Sequence, residues 1–456
     1  MAAPSIHEYL LPGRRAHLVG IGGVSMSPLA EVLRGAGITI TGSDMQESAS
    51  VAHLRELGIP VTIGHRADGG ALEAHCVIRT AAVHDDNPEI AAARAAGIPV
   101  FERAQAWGAI MARYRNALCV SGTHGKTTTT SMCTHIFMAA EADPTVMIGG
   151  RLPLLDAGHR VGKGDTIILE SCEYCDSFLS FLPTVAVVLN VDADHLDYFS
   201  GLDAVKASFR SFCTLVPPTG WVVANAEDAN TMDALRGLDR PTLTFGVETG
   251  DVTAGSLSFE HGCARFDVLV RGELYAHVQL RIPGLHNVKN ALAAAAAAYV
   301  LHVPAGAVSI GLGTFGGAGR RFEFKGKFNG ADVYDDYAHH PGELHALLTT
   351  AKTLGYKRVI CAFQPHTYTR TKELFNEFIE VLPLADKVLL AEIYAAREQN
   401  TIGISSRDLV GHIPGSEYCP DLPSVTARLA QLAQPGDLIL TVGAGTIYLA
   451  GEALLK

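Results

Sequence analysis

What this chain lacks narrows the field first. No apolar run approaches the roughly 20 residues that cross a bilayer; the longest candidate, 291–301, is short and built mostly of alanine. The stretch 1–15 has no apolar core followed by a small-residue cleavage site, so no secretory signal is expected. Basic residues are in deficit, 36 against 47 acidic for a net charge of −11, which speaks against a general nucleic-acid binder. Cysteine occurs nine times, an odd number without a repeating spacing, as expected for free thiols in a reducing cytoplasm. The one C-x-x-C, Cys172 to Cys175, has no second pair or finger-spaced histidines, so zinc or redox duty is not expected of it. Short-period repeats and low-complexity linkers are absent too. What remains, 48% apolar and 18% charged residues, is an ordered globular chain about three domains long.

The most informative segment is Ser121-Gly122-Thr123-His124-Gly125-Lys126-Thr127-Thr128. An apolar run, 117–120, enters it and a helix-compatible run, 129–140, leaves it. Strand, glycine loop and helix together make a phosphate cradle: backbone N–H groups approach phosphate oxygens and the helix N-terminus adds positive charge. Lys126 then meets the β/γ-phosphates and Thr127 can ligate Mg²⁺. The longer G-x-x-x-x-G-K-[ST] pattern fails because Val120 stands at its first glycine; the match is to G-T-x-G-K-T. A nucleoside triphosphate is the expected ligand.

Hydrophobic patterning indicates α/β architecture throughout, with parallel sheets. The first segment reads strand 16–19, turn 20–25, helix 28–35, strand 38–42, with Gly22, Gly23 and Ser25 in a near G-x-G-x-x-G and Asp44 about 20 residues on. Taken alone, that turn fits NAD, a nucleotide-sugar diphosphate or plain βα packing. A second segment runs from the phosphate loop to the glycine-rich stretch 311–319, closing with a helix at 288–301. The third alternates strands (333–335, 359–363, 388–391, 438–442) with helices (342–354, 372–382, 422–432). Gly443-Ala444-Gly445 reads as a tight βα connection.

Several polar groups cluster at strand ends, where α/β sheets bind ligands. Glu170 ends the strand 166–169, placed to complete a Mg²⁺ site with Thr127, and Glu173 and Asp176 follow as second ligands or a base. Asp192, Asp194, His195 and Asp197 crowd into six residues; they are either an exposed acidic loop or face cations, with His195 ligating a second divalent metal. Asn287 and Asn290, one turn apart, suit an adenine edge, although Asn287 also suits a helix cap. Arg321 and Asp336 flank the junction of segments two and three, with His339 at the end of the strand that follows, and His366 and Arg370 follow a further strand where a small carboxylate substrate can be gripped.

Together these motifs resemble the Mur ligase family, the ATP-dependent amide-forming enzymes of peptidoglycan precursor synthesis. The likeness covers nearly the whole chain and is carried by 20–28, 122–130, 194–198, 321–326, 334–341, 363–370 and 394–398. Within the family it points to the members that join L-alanine to the lactyl carboxylate of UDP-N-acetylmuramate, with the murein tripeptide recycling members as the alternative. The resemblance implies a Rossmann-like UDP-sugar domain (1–107), a central P-loop ATPase α/β domain (108–318) and a C-terminal Rossmann-like α/β domain for the amino acid (319–456). It implies ATP and Mg²⁺, small-molecule substrates without nucleic acid or membrane, a cytoplasmic location and a monomer or homodimer. By residue, it implies Gly122, Thr123, His124, Gly125, Lys126, Thr127 and Thr128 around the phosphates, with Thr127, Glu170 and His195 as metal ligands. Asn287, Asn290, Arg321 and Asp336 become nucleotide contacts, and Gly22, Gly23, Ser25 and Asp44 UDP-sugar contacts. His339 and Arg370 lie by the amino acid, and Lys126, Glu170, His195 and His339 are catalytic.

Two departures from the family pattern stand out. The stretch 363–370 often carries two arginines, and here the first position is Thr367, which leaves Arg370 with more of the carboxylate grip. Other family members place a carbamylated lysine about fifteen residues after the metal histidine; here that position is Arg210, and the alanine-adding members likewise do without that lysine. The implied chemistry is attack of the sugar carboxylate on ATP to give an acyl phosphate, then attack by a neutral amine. The base is left open among His195, His339 and nearby carboxylates, and closure near 107 and 318 is expected.

Overall fold

The computed structural model describes residues 5–196, 198–396 and 398–456. It divides into two compact units. One holds residues up to 192 with 203–245 and 293–307; the other holds 193–202, 246–292 and 308–456.

The first unit carries a five-stranded parallel sheet in the order Val61–Ile63, Thr39–Asp44, Arg15–Val19, Cys76–Arg79, Val100–Glu102. It also carries seven further strands: Thr242–Phe245, Trp221–Asn225, Val185–Val188, Asn116–Ser121, Thr166–Glu170, Thr145–Leu152 and Ala157–Arg160. All of these pair in parallel except the last, which is antiparallel. Every residue of Val185–Val188 is buried, the uninterrupted apolar pattern of a parallel strand covered on both faces. Asn116–Ser121 sits between Val185–Val188 and Thr166–Glu170, so the loops leaving these strands converge at one sheet edge.

The second unit holds an antiparallel trio, Val252–Glu260, Cys263–Val270 and Glu273–Pro283. It also holds a six-stranded sheet in the order Glu323–Phe328, Ala331–Asp336, Asp437–Val442, Arg358–Phe363, Lys387–Ala391, Glu417–Cys419. That sheet is parallel apart from its first strand. Its two faces bury separate cores, one around Phe363, Phe378 and Leu440, the other around Val333, Leu389 and Ile439.

The expected elements recur with shifted ends. The helix expected at 288–301 begins earlier, as Leu285–Val300, so Asn287 lies inside its first turn rather than before it. The helix expected at 372–382 is two, Tyr368–Glu373 and Phe375–Val381, broken at Leu374 (φ −101°, ψ 24°) without glycine or proline to announce the break. Residue 107 falls within the helix Arg103–Met111, and residue 318 between Ala305–Thr314 and Glu323–Phe328. The alanine run from 291 to 298 is buried throughout, and no helix among the described residues is long and apolar enough to cross a membrane. All nine cysteines are free, including Cys172 and Cys175.

Candidate active site

The phosphate loop is built as its sequence indicates. Gly122 has φ +141°, and a Cβ there would lie 2.8 Å from Leu189 Cβ, so only glycine lets the loop run this close to the neighbouring strand. Gly125 (φ +84°) turns the chain into the helix Lys126–Ala139. That helix opens with four threonines, poor helix formers when left to themselves. They are buried here, and the Thr130, Ser131 and Thr134 hydroxyls donate to carbonyls four residues back. His124 N–H donates to Asn190 Oδ1 at 2.7 Å and the Asn190 amide returns a bond to His124 O at 3.1 Å, clamping the loop to the end of the next strand.

Lys126 Nζ donates to the Gly122 and Thr123 carbonyls at 2.5 and 3.1 Å and lies 3.0 Å from Glu173 Oε2. Burial would lower its pKa, but Glu173, Cys172 and Glu170 outweigh that and raise it above the ordinary lysine value. The ammonium therefore stays charged. Thr127 Oγ1 donates to Glu170 Oε1 at 3.1 Å, and Glu170 Oε2 accepts from Gly149 N–H at 2.7 Å. A hydroxyl and a carboxylate at this separation are hard oxygen donors of the kind Mg²⁺ takes. Thr123 Oγ1 accepts from Asp192 N–H at 2.9 Å, and Thr128 is buried in the helix. Asp176 accepts the hydroxyl of Ser208, which lies on the helix Leu202–Thr214. The pairing of Glu173 with Lys126 had no signal in the sequence beyond proximity to Glu170.

In the five-stranded sheet, Gly22 N–H donates to Asp44 Oδ2 at 2.8 Å, and a Cβ on Gly22 would meet Val51 at 2.8 Å. The turn is thus tied to the acid that follows it, with Gly23 O accepting from Met26 and Ser27 N–H. Ser25 is engaged in packing: its hydroxyl contacts Met147 Sδ at 3.0 Å and accepts from Trp107 Nε1 at 3.2 Å. Beneath lies a buried cluster that sequence reading missed. Glu89 Oε2 accepts from the Ser43 hydroxyl at 2.5 Å and sits 3.5 Å from both His17 Nε2 and His65 Nδ1.

In the second unit, Arg370 Nε and Nη2 donate to Asp194 Oδ1 at 3.2 and 2.9 Å, and Nη1 lies 3.1 Å from His366 Nδ1. Burial would raise the Asp194 carboxyl, but Arg370, His195 and His339 hold it well below the usual carboxylate range. The cation facing this acidic segment is therefore, for Asp194, a guanidinium. His195 has φ +56° and its Nε2 is 3.8 Å from Asp194 Oδ2; Asp197 lies outside the described residues. The His339 ring is 5.8 Å from the His366 ring, and burial pushes both imidazoles down to about 4.

Nearby, Asp336 accepts from Phe322 and Ala338 N–H at 2.7 and 2.8 Å; burial, against Arg321 and these bonds, pushes its carboxyl up to about 6. The neighbouring arginines divide. Arg320 is locked by Asp335 at 2.8 Å and by the Gly443 and Gly445 carbonyls, between the Tyr337 and Tyr448 rings, whereas Arg321 stands 5.2 Å from the Tyr337 centroid. The Gly443–Gly445 turn is thereby filled by Arg320. Asn290 donates to Asn287 Oδ1 at 3.2 Å and Asn287 to Pro283 O at 2.7 Å, so Asn287 caps no N–H group.

Family models match all three segments: "Mur ligase family, catalytic domain" over 15–115, "Mur ligase middle domain" over 120–298 and "Mur ligase, glutamate ligase domain" over 320–445. The chain is 46% identical over 449 residues to a UDP-N-acetylmuramate–L-alanine ligase of Caldanaerobacter subterraneus, covering 97% of each chain. To its namesake in Clostridium perfringens it is 43% identical, covering 97% of this chain and 98% of the other. The solved UDP-N-acetylmuramate-alanine ligase of Thermotoga maritima superposes with a TM-score of 0.79 at 30% identity over 97% of this chain and 98% of that one. A murein peptide ligase from Psychrobacter arcticus shares the fold, with a TM-score of 0.70 at 24% identity over 97% and 98%. With a relative this similar along its whole length, and a phosphate loop and strand-end acids arranged as described, the chain belongs to the Mur ligase family.

Proposed function

We infer that this chain joins L-alanine to the lactyl carboxylate of UDP-N-acetylmuramate with cleavage of ATP to ADP and phosphate, a step of peptidoglycan precursor synthesis in the cytoplasm. The observation that carries the choice of substrates is the 46% identity across 97% of an alanine-adding relative. The loop 122–128 cradles the phosphates, with Lys126 against the β/γ oxygens; ATP must compete with Glu173 for that ammonium. Thr127 and Glu170 would hold Mg²⁺, and His195 is the proposed ligand of a second cation; bound there, Mg²⁺ supplies charge neutralisation at the phosphate oxygens. Asn287 and Asn290 receive the adenine, Arg321 and Asp336 the nucleotide, and Gly22, Gly23, Ser25 and Asp44 the UDP-sugar.

In the first step a carboxylate oxygen of the sugar bonds to the γ-phosphorus and the bond to the β,γ-bridging oxygen breaks, releasing ADP. In the second the L-alanine nitrogen bonds to the acyl carbon, phosphate leaves, and the amine proton passes to a base. Burial keeps His339 uncharged at neutral pH, so its ring can accept a hydrogen bond from the amine, but the same burial makes it a weak base, and Asp194 is held more acidic still. Arg370 takes the L-alanine carboxylate through its planar fork, exchanging it for Asp194. Phosphate release from ATP, measured with UDP-N-acetylmuramate and each of L-alanine, L-serine, glycine and the murein tripeptide, tests the reading. L-alanine should give the highest kcat/KM; preference for the tripeptide would assign the chain to recycling.

A further inference from the structure

The segment that delivers Arg370 is under backbone strain. Thr367 has φ +63° and ψ 147°, a region a β-branched residue enters only when its surroundings over-determine it. What holds it there is a second loop. Thr367 N–H donates to Tyr394 O at 2.9 Å, the His366 ring stacks on Tyr394 at 5.7 Å, and the Thr371 hydroxyl returns a bond to Thr367 O at 2.6 Å. Four residues past Tyr394, Glu398 Oε2 accepts from Tyr368 and Thr369 N–H at 2.7 and 3.0 Å, and Oε1 accepts the Thr369 hydroxyl. Those N–H groups open the helix Tyr368–Glu373 and have no intrahelical acceptor. Arg370 is the third residue of that helix.

We propose that Glu398 is a positioning residue for the amino-acid site: pinning the strained turn 367–369 from the facing loop, it aims the Arg370 guanidinium at the carboxylate of L-alanine. Glu398 touches no substrate in this scheme. Burial would raise its carboxyl, but the Thr369 and Tyr368 bonds keep it below the usual glutamate range, so it remains the anion that backbone donors at a helix start favour. A guanidinium fork discriminates by angle as well as charge, so loosening the turn beneath it weakens carboxylate capture before it affects phosphoryl chemistry. The inference rests on Arg370 receiving the L-alanine carboxylate.

The test measures kcat and the KM of all three substrates in full-length Glu398→Ala, Glu398→Gln, Arg370→Lys and Glu398→Ala/Arg370→Lys. Glu398→Ala should raise the L-alanine KM about tenfold, and Glu398→Gln, which keeps one acceptor oxygen, about threefold, with the ATP and UDP-N-acetylmuramate KM unchanged. The double variant should be no worse for L-alanine than Arg370→Lys alone, because Glu398 acts through that arginine. Additive losses, an unmoved L-alanine KM in both Glu398 variants beside a raised one in Arg370→Lys, or a parallel rise in all three KM values with a lowered Tm would overturn the proposal. Should Arg370→Lys itself leave the L-alanine KM unmoved, the assignment of Arg370 falls first and the inference with it.

Discussion

The phosphate loop takes its groups from the consecutive residues 122–128, at the joint of one strand and one helix, whereas the cluster around Arg370 is gathered from 194, 339, 366–370, 394 and 398. In the loop, two glycine conformations and a helix start fix where every N–H points, so the local sequence already contains the geometry. In the cluster each residue is ordinary by itself; the Arg370–Asp194 contact joins positions 176 apart, and only the folded sheet brings them together. Both sites nevertheless solve one problem alike. Each holds its cation on an internal carboxylate, Lys126 on Glu173 and Arg370 on Asp194, and under the proposed function each exchanges that partner for a substrate anion.

The largest effect tests that exchange in the loop. Lys126→Ala should lower kcat by about 10²-fold or more, the usual cost of losing a fixed positive contact to a developing charge. Glu173 is then left buried without its cation, which is strongly destabilising in itself. Lys126→Ala/Glu173→Gln, checked by circular dichroism, separates the two effects; turnover above about 1% of the parent in the folded double variant would remove Lys126 from the chemistry. Next, Arg370→Lys should raise the L-alanine KM about tenfold, roughly 1.4 kcal/mol, because an ammonium lacks the fork. An equal rise in the ATP KM would place Arg370 on the nucleotide side and end the comparison between the two sites.

How much of this was legible in the sequence follows from the same contrast. The α/β class, the strands at 16–19, 359–363 and 438–442 and the phosphate loop were readable because their signals are contiguous: short apolar runs ending in turn residues. The break at Leu374 was not, since no helix-breaking residue marks it. Nor was the division between Arg320, held by Asp335 and two carbonyls, and its neighbour Arg321 beside the Tyr337 ring; adjacent arginines look alike until the fold gives each its own surroundings. Glu398 and Glu89 were invisible as individuals for a related reason. A carboxylate that accepts backbone or hydroxyl bonds across the chain leaves no spacing to read.

Asp336 offers a smaller test, in which burial rather than a reserve partner sets the charge. Its folded carboxyl, at about 6, lies above the ordinary aspartate value of 3.8. A raised acid contributes stability that is complete below the unfolded value and is lost as pH rises through the folded one. Between pH 5 and 7 the parent should therefore lose about 1 kcal/mol relative to Asp336→Asn, read from urea midpoints at each pH. Parallel curves for the two proteins would mean that Arg321 or the Phe322 and Ala338 N–H groups outweigh burial.

The smallest expected effect returns to the loop and asks whether its carboxylate serves a cation or only the fold. Glu170 accepts from Thr127 and from Gly149, so it has a structural duty before any ligand arrives. Glu170→Gln keeps a carbonyl oxygen for one of those donors and a similar shape while removing the charge. Mg²⁺ keeps several waters and takes phosphate oxygens as well as protein ligands, so losing one protein charge should be felt modestly. The Mg²⁺ concentration giving half-maximal rate should rise about threefold, about 0.6 kcal/mol, with the L-alanine KM unchanged. An unmoved Mg²⁺ curve with a lowered Tm would leave Glu170 as a brace between the loop helix and Gly149, and the cation would then rest on Thr127 and the phosphates. In that outcome the two sites differ further: the cluster around Arg370 would supply its own countercharge, and the phosphate loop would borrow part of it from the substrate.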